Sequence, residues 1–136
     1  MAKTTQSTWV AKLALLPGQR VAWVNARPSL ERHFSALPAG VERIDGLKGK
    51  KPLDVVIIFS EALSELADVM ERARPRLSEG GALWAVFPSA SSKKKTDITE
   101  GDVRGLAFMA GCVDDKVCAL DDQWAAVRCV LRGAKR

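Results

Sequence analysis

The sequence predicts a three-layer α/β domain with a mostly parallel sheet and an antiparallel hairpin at its C-terminal end. Two observations carry that expectation. Three largely apolar runs, at residues 21–24, 53–59 and 82–87, and a short candidate strand at 41–44 alternate with stretches of helical periodicity, the pattern of strands covered by helices. Two further runs, 116–120 and 124–131, are separated by a short turn at Asp121-Asp122, which permits an antiparallel return and no parallel one. The 136 residues, 47% apolar and 27% charged, suit one α/β domain over residues 1–136 and exclude a mainly disordered chain.

Taken in order, residues 1–7 form a polar leader expected to fray. Thr8 can cap a helix through residue 16, in which Val10, Leu13 and Leu16 share a stripe, and Pro17-Gly18 stops it. Residues 21–24 do not alternate apolar with polar, which fits a strand covered on both faces. Pro28 suits the first turn of a helix whose apolar face is Leu30, Phe34 and Leu37, ended by Pro38 and Gly40. Asp45-Gly46 closes the second strand, and a polar turn holding Lys48, Gly49, Lys50 and Lys51 leads to Pro52. The third run, with Val55, Val56, Ile57 and Ile58, has the strongest strand composition in the chain. Ser60 is a candidate N-cap, with Glu61 in the first turn, for a helix that turns Leu63, Leu66, Met70 and Ala73 inward and fades near Leu77. Gly80-Gly81 turns the chain into the fourth strand, and Pro88 breaks it. After a loop at 89–97, Thr99 and Asp102 form a capping-box pattern ahead of a helix marked by Val103, Leu106, Ala107 and Ala110, which stops at Gly111. Residues 132–136 are a basic tail expected to fray.

Lys and Arg number 21 against 16 Asp and Glu, and the net charge of +5 leans toward anionic partners. Cys112, Cys118 and Cys129 are odd in number, lie in apolar settings and form no CxxC pair, so they read as reduced thiols of a cytoplasmic protein. With one histidine, His33, four-ligand zinc chemistry has little to work with. Residues 1–9 lack the apolar core of a secretion signal, and the longest apolar run, near 55–59, is far below membrane-spanning length. No membrane partner is expected.

Open parallel sheets bind ligands beyond the carboxyl ends of their strands, at a topological switch. That rule collects Asn25, Arg27, Asp45, Ser60, Glu61, Pro88 and the 89–97 loop along one rim. Asn25 either positions a polar ligand group or caps its own loop, and Asp45 either binds a ribose-like diol or serves an Asp-Gly turn. Lys93, Lys94, Lys95 and Thr96 either neutralise a phosphate, a nucleotide or an acidic protein surface in a salt-sensitive way, or form a solvated loop. Asp97 either orients Lys95 or caps a turn before the next helix. Trp23 and Trp84 read as core, Trp124 as sheet cover or rim, and Trp9 as the tryptophan most exposed and available for self-association. Without basic-aromatic interleaving or a helix-turn-helix pattern, nucleic acid is not an expected partner. No Gly-x-Ser-x-Gly elbow is present, and Cys118 and Cys129 read as hairpin packing, so no catalytic residue is assigned.

This order of elements resembles a reduced, Rossmann-like class I S-adenosylmethionine-dependent methyltransferase. The segment RLSEGGALWAVFP at 76–88 is similar to that family's turn and central strand, with Ser78 and Glu79 where a proline is usual. More closely, LLPGQRVAWVNA, VVIIFS, GGALWAVFPSASSKKKTDI and GCVDDKVCALDDQWAAVRCVLR, across residues 12–132, resemble the DUF3052 family of small bacterial proteins. The methyltransferase resemblance implies a glycine-rich loop after the first strand and an acid at the end of the second. Asp45 fits the acid, whereas Asn25, Arg27 and Ser29 stand where the glycines are expected, and Trp23 where the first strand carries an acid.

The leading expectation is a noncatalytic protein, without a cofactor, that binds an anionic small molecule or an acidic protein. Asn25, Asp45 and Ser60 are its candidate cofactor-site residues, and Lys93, Lys94, Lys95 and Thr96 its anion-site residues. One alternative is an S-adenosylmethionine-dependent methyltransferase with an atypical cofactor loop. Another is a structural homo-oligomer organised through Trp9 or an exposed sheet edge.

Overall fold

A computed structural model describes residues 8–92 and 96–133. Its strands are β1 (Arg20–Val24), β2 (Glu42–Asp45), β3 (Leu53–Phe59), β4 (Leu77–Pro88), β5 (Cys112–Ala119) and β6 (Trp124–Leu131), in one sheet of order β2-β1-β3-β4-β6-β5. The first four are parallel, β6 runs antiparallel to β4, and β5 closes the edge against β6. This is the three-layer, Rossmann-like α/β arrangement that the sequence predicts.

Successive strand residues face opposite layers, as the pleat requires. Ala22, Val24, Val56, Ile58, Leu83, Ala85 and Phe87 pack beneath α2 (Leu63–Ala73) and α3 (Glu100–Met109). Val21, Trp23, Val55, Ile57, Phe59, Trp84 and Val86 pack on the other side, beneath α1 (Thr8–Lys12) and a 3-10 helix, Pro28–Phe34. Both layers are apolar, so the central strands read as unbroken hydrophobic runs. The chain leaves β1 toward β2 on one side and returns to β3 on the other, which puts the topological switch between β1 and β3.

Several boundaries differ from the expected ones for local reasons. α1 ends at Lys12 because Ala14 takes a left-handed conformation (φ 54°) and Leu15 N folds back onto the Val10 carbonyl at 3.2 Å. Leu15 is then buried, and Leu16, expected on the stripe, stands 57% exposed. The second helix is a 3-10 helix, but Leu30 and Phe34 are inward as expected. Ser60 is not an N-cap: α2 starts at Leu63, and its first amide donates to Asp97 Oδ1 at 2.7 Å. α2 stops at Ala73, where Arg74-Pro75-Arg76 tightens to a 3-10 turn. Gly80-Gly81 lies inside β4, in a register break where Leu53 pairs with Leu77 and Val55 with Ala82. A Cβ on Gly81 would sit 3.0 Å from the Leu53 carbonyl oxygen, so the close approach of backbones there favours glycine. β5 begins at Cys112, earlier than expected, and carries a bulge between Asp114 and Lys116. The capping box of α3 is present in full, with Asp102 N on Thr99 Oγ1 at 3.1 Å and Thr99 N on Asp102 Oδ2 at 3.2 Å.

Trp9 corrects a further expectation. It is 2% exposed, stacked on His33 with ring centroids 4.0 Å apart and edge-on to Phe34 at 6.1 Å. α1 lies along the sheet with that face inward and is pinned by Lys12 Nζ, which donates to the Ala119 carbonyl at 2.8 Å. A self-association surface built on Trp9 is therefore ruled out. Both edge strands carry charge at their rims, Glu42, Arg43 and Asp45 on β2 and Asp114, Asp115 and Lys116 on β5. The fraying expected at 1–7 and 134–136 lies outside the described residues. Arg132 is held: its amide donates to the Gly111 carbonyl, and its guanidinium packs 4.2 Å from the Phe108 ring.

Candidate functional site

The carboxyl rim gathers the ends of β1, β2, β3 and β4, and each end has a different local construction. After β1, Asn25 adopts a left-handed conformation (φ 60°), which asparagine tolerates better than most residues. That turn aims Arg27 across the topological switch, where its Nη2 lies 3.0 Å from Glu61 Oε2 in the loop after β3. The crevice at the switch is thus bridged by an ion pair.

Asp45 stands at the end of β2, opposite Trp23 of β1 in the ladder. Its carboxylate is 71% exposed and 3.1 Å from Arg43 Nε. The same guanidinium donates two bonds to Glu31, at 2.9 and 2.8 Å, and lies 4.6 Å over the Trp23 ring. Glu31 first, then Asp45, raise the Arg43 pKa against the opposing effect of burial. Asp45 is therefore the outer member of a three-residue ionic group. Ser60 is fully buried; its hydroxyl lies 2.9 Å from both the Ala62 carbonyl and Glu65 Oε1, and accepts from Ala62 N at 3.3 Å. Among the described residues, no hydrogen bond or ion pair links Asn25, Asp45 and Ser60 to one another. They share the rim without forming one cluster.

The rim opens at the end of β4. A cleft of about 610 Å³ is floored by Phe87, Pro88, Ile98 and Ala125 and edged by Ser89, Ser92, Thr96, Thr99 and Glu100. Its wall is stitched to the body from both sides. Ser89 Oγ and Ser91 Oγ donate to the Asp122 carbonyl at 2.9 and 3.2 Å, fixing the start of the loop to the β5–β6 turn. Thr96 Oγ1 donates to the Glu61 carbonyl at 2.9 Å, and Asp97 caps α2, fixing its end to the loop after β3. Lys93, Lys94 and Lys95, the core of the expected anion site, lie outside the described residues; their neighbours Ser92 and Thr96 both line the cleft. Sequence reasoning named the 89–97 loop, but missed Ile98, Thr99 and Glu100 as its continuation into the cleft. The capping-box pattern was the available signal, because it fixes where the loop ends.

Burial pushes the Cys129 thiol up to about 12 and raises Cys112 and Cys118 as well, which disfavours the thiolate form at all three. Among the described residues, no group of three or more His, Cys, Asp or Glu could hold a metal, and no helix is long and apolar enough to cross a membrane.

The fold is that of the class I methyltransferases. A possible exported protein from Bordetella parapertussis superposes with a TM-score of 0.62 at 15% identity, covering 91% of this chain and 65% of that one. An O-methyltransferase of neocarzinostatin biosynthesis, in complex with S-adenosyl-L-homocysteine and 1,4-dihydroxy-2-naphthoic acid, gives 0.61 at 9%, covering 90% and 50%. Magnesium protoporphyrin IX methyltransferase from Synechocystis PCC 6803 with bound S-adenosylhomocysteine gives 0.59 at 11%, covering 90% and 78%. This chain spans less than two thirds of the length of the first two. No curated protein matches the sequence. A family model matches residues 42–133, and the chain belongs to that family, described as "Protein of unknown function (DUF3052)".

Proposed function

We propose that this protein binds an anionic small molecule in the cleft beyond β4, without methyl transfer. The observation that carries the reading is the contrast along one rim, a bridged crevice at the switch beside an open cleft one strand over. The apolar floor suits the flat body of a ligand, and the hydroxyls of Ser89, Ser92, Thr96 and Thr99 suit its polar edge. The described lining carries the carboxylate of Glu100 and no cation, and the three lysines that lie between Ser92 and Thr96 in the sequence are the source of positive charge on which this reading depends.

S-adenosylmethionine, the cofactor that the fold implies, does not fit the crevice as these residues hold it. A glycine loop lets backbone approach the ligand closely, whereas Asn25, Ala26 and Arg27 each carry a side chain, and Arg27 reaches Glu61 through that space. A second reading, an S-adenosylmethionine-dependent methyltransferase with an atypical loop, is supported by solved structures of this fold holding S-adenosylmethionine or its product. The comparisons favour it more directly than they favour binding alone; the rim residues favour binding alone.

Calorimetry on the full chain separates the two readings, with adenosine monophosphate and S-adenosylmethionine as probes. Saturable binding of the monophosphate, lost in a Lys93→Ala/Lys94→Ala/Lys95→Ala variant of unchanged melting temperature, is the expected result. Saturable S-adenosylmethionine binding by the wild-type chain would move the conclusion to the methyltransferase, and binding of neither would overturn the proposed site.

A further inference from the structure

A second charged recess lies away from the rim. The connection from β2 to β3, residues 46–52, crosses β1 without a helix, where parallel crossovers commonly use a dozen residues or more. Two arginines hold it in shape. Arg76 donates to the carbonyls of Leu47 at 2.6 Å, Lys48 at 3.2 Å and Lys51 at 2.8 Å, and Arg20 donates to that of Pro52 at 2.8 Å. Leu47 packs into the core on the α2 side. With its carbonyls taken up by the body, the segment leaves Lys48, Lys50 and Lys51 exposed, and none makes an ion pair among the described residues.

These lysines, with Arg76, Gly49 and Ile44, line a cleft of about 320 Å³. The carboxylate that also lines it, Glu42, is engaged by Arg20 at 3.1 Å. Three free ammonium groups within four consecutive positions repel one another unless a ligand brings several negative charges close together. A single phosphate offers too little charge, and the volume sits at the lower end of small-ligand sites, about 300–1,000 Å³. Linked phosphates match both the charge spacing and the size. The turn is also pre-formed, since Arg76 fixes the backbone before any ligand arrives, which lowers the ordering cost of binding.

We propose that Lys48, Lys50 and Lys51, on the turn fixed by Arg76, bind the polyphosphate chain of a small molecule. The site is independent of the rim cleft, because Arg76 and Lys51 precede the amino ends of β4 and β3, whereas the rim cleft opens past the carboxyl end of β4. Inorganic triphosphate, adenosine triphosphate and adenosine are the probes that separate a free polyphosphate from a nucleotide. In the Lys93→Ala/Lys94→Ala/Lys95→Ala variant, which removes the charge of the rim site, calorimetry should give one saturable site for both triphosphates and none for adenosine, with affinity falling as salt rises. Adding Lys48→Ala/Lys50→Ala/Lys51→Ala to that variant should lose about tenfold or more in affinity at an unchanged melting temperature. Tighter binding of adenosine triphosphate than of inorganic triphosphate would assign the ligand as a nucleotide, and equal binding as the phosphate chain alone. Absence of saturable binding overturns the proposal, as does binding that survives the loss of Lys48, Lys50 and Lys51 but fails without Lys93, Lys94 and Lys95. That last outcome would leave the rim reading standing.

Discussion

The junction after β1 and the junction after β4 leave the same rim and come out differently. The first is short: Asn25, Ala26 and Arg27 separate β1 from the helix at Pro28, and the left-handed Asn25 and the fixed φ of Pro28 leave it little freedom. Its arginine is committed to Glu61. The second runs from Ser89 to Thr99 and borrows its supports, taking the Asp122 carbonyl at one end and the Glu61 carbonyl at the other. A short junction with its own conformational constraints draws the strand ends together, whereas a long one tied at both ends can stand off the sheet and enclose volume. Glu61 belongs to both, its carboxylate bridging the crevice and its carbonyl holding the cleft wall.

The largest test of that contrast is Phe87→Ala. Phe87 floors the open cleft, yet it is only 5% exposed and packs among the residues beneath α2 and α3. If the floor is core, removing the ring costs about 3–5 kcal/mol of unfolding free energy, as truncations of buried phenylalanine do. Urea denaturation monitored by circular dichroism reads it, and a loss below about 1 kcal/mol would mean that the floor is ligand surface and not core.

A smaller effect is expected at the far end of the cleft wall. Thr99→Ala removes the hydroxyl that accepts from Asp102 N, while the reciprocal bond from Thr99 N to Asp102 can persist. A loss of about 1 kcal/mol follows from removing such a cap. Amide exchange should quicken in the first turn of α3 and leave β4 unchanged. Equal quickening in β4 would show that wall and floor open together, and the two ends of the comparison would then no longer be separate constructions.

The sequence makes the sheet legible because burial on both faces leaves β1, β3 and β4 with unbroken apolar runs, such as Val55 to Phe59. It makes the α3 start legible because Thr99 and Asp102 need only each other. What escapes it depends on partners distant in the chain. The cap of α2 comes from Asp97, 34 residues after Leu63, so Ser60 reads as the cap when only neighbours are considered. Trp9 follows a polar leader and reads as exposed, but His33 and Phe34 from another element cover it. Lys48, Lys50 and Lys51 look like an ordinary polar turn until Arg76 is seen holding their backbone. The rim is intermediate: strand order places Arg27 and Glu61 on it, while their pairing needs the three-dimensional path of both loops.

The smallest expected effect is the most informative about the rim. Arg27 and Glu61 are 34% and 33% exposed at their side chains, a setting in which ion pairs contribute about 0–1 kcal/mol. Arg27→Gln should therefore shift the urea midpoint only slightly, by an amount corresponding to about 1 kcal/mol or less. It removes the charge that bridges the crevice but leaves the Glu61 carbonyl free to hold Thr96, so the cleft beyond β4 should keep its ligand. Calorimetry with S-adenosylmethionine is the decisive companion. If the side chains at 25–27 shape the crevice against the cofactor, the variant stays as silent as the wild type. Saturable binding by Arg27→Gln alone would mean that the ion pair by itself excludes the cofactor, and the two junctions would then differ by one charge and not by the length and conformation of their loops.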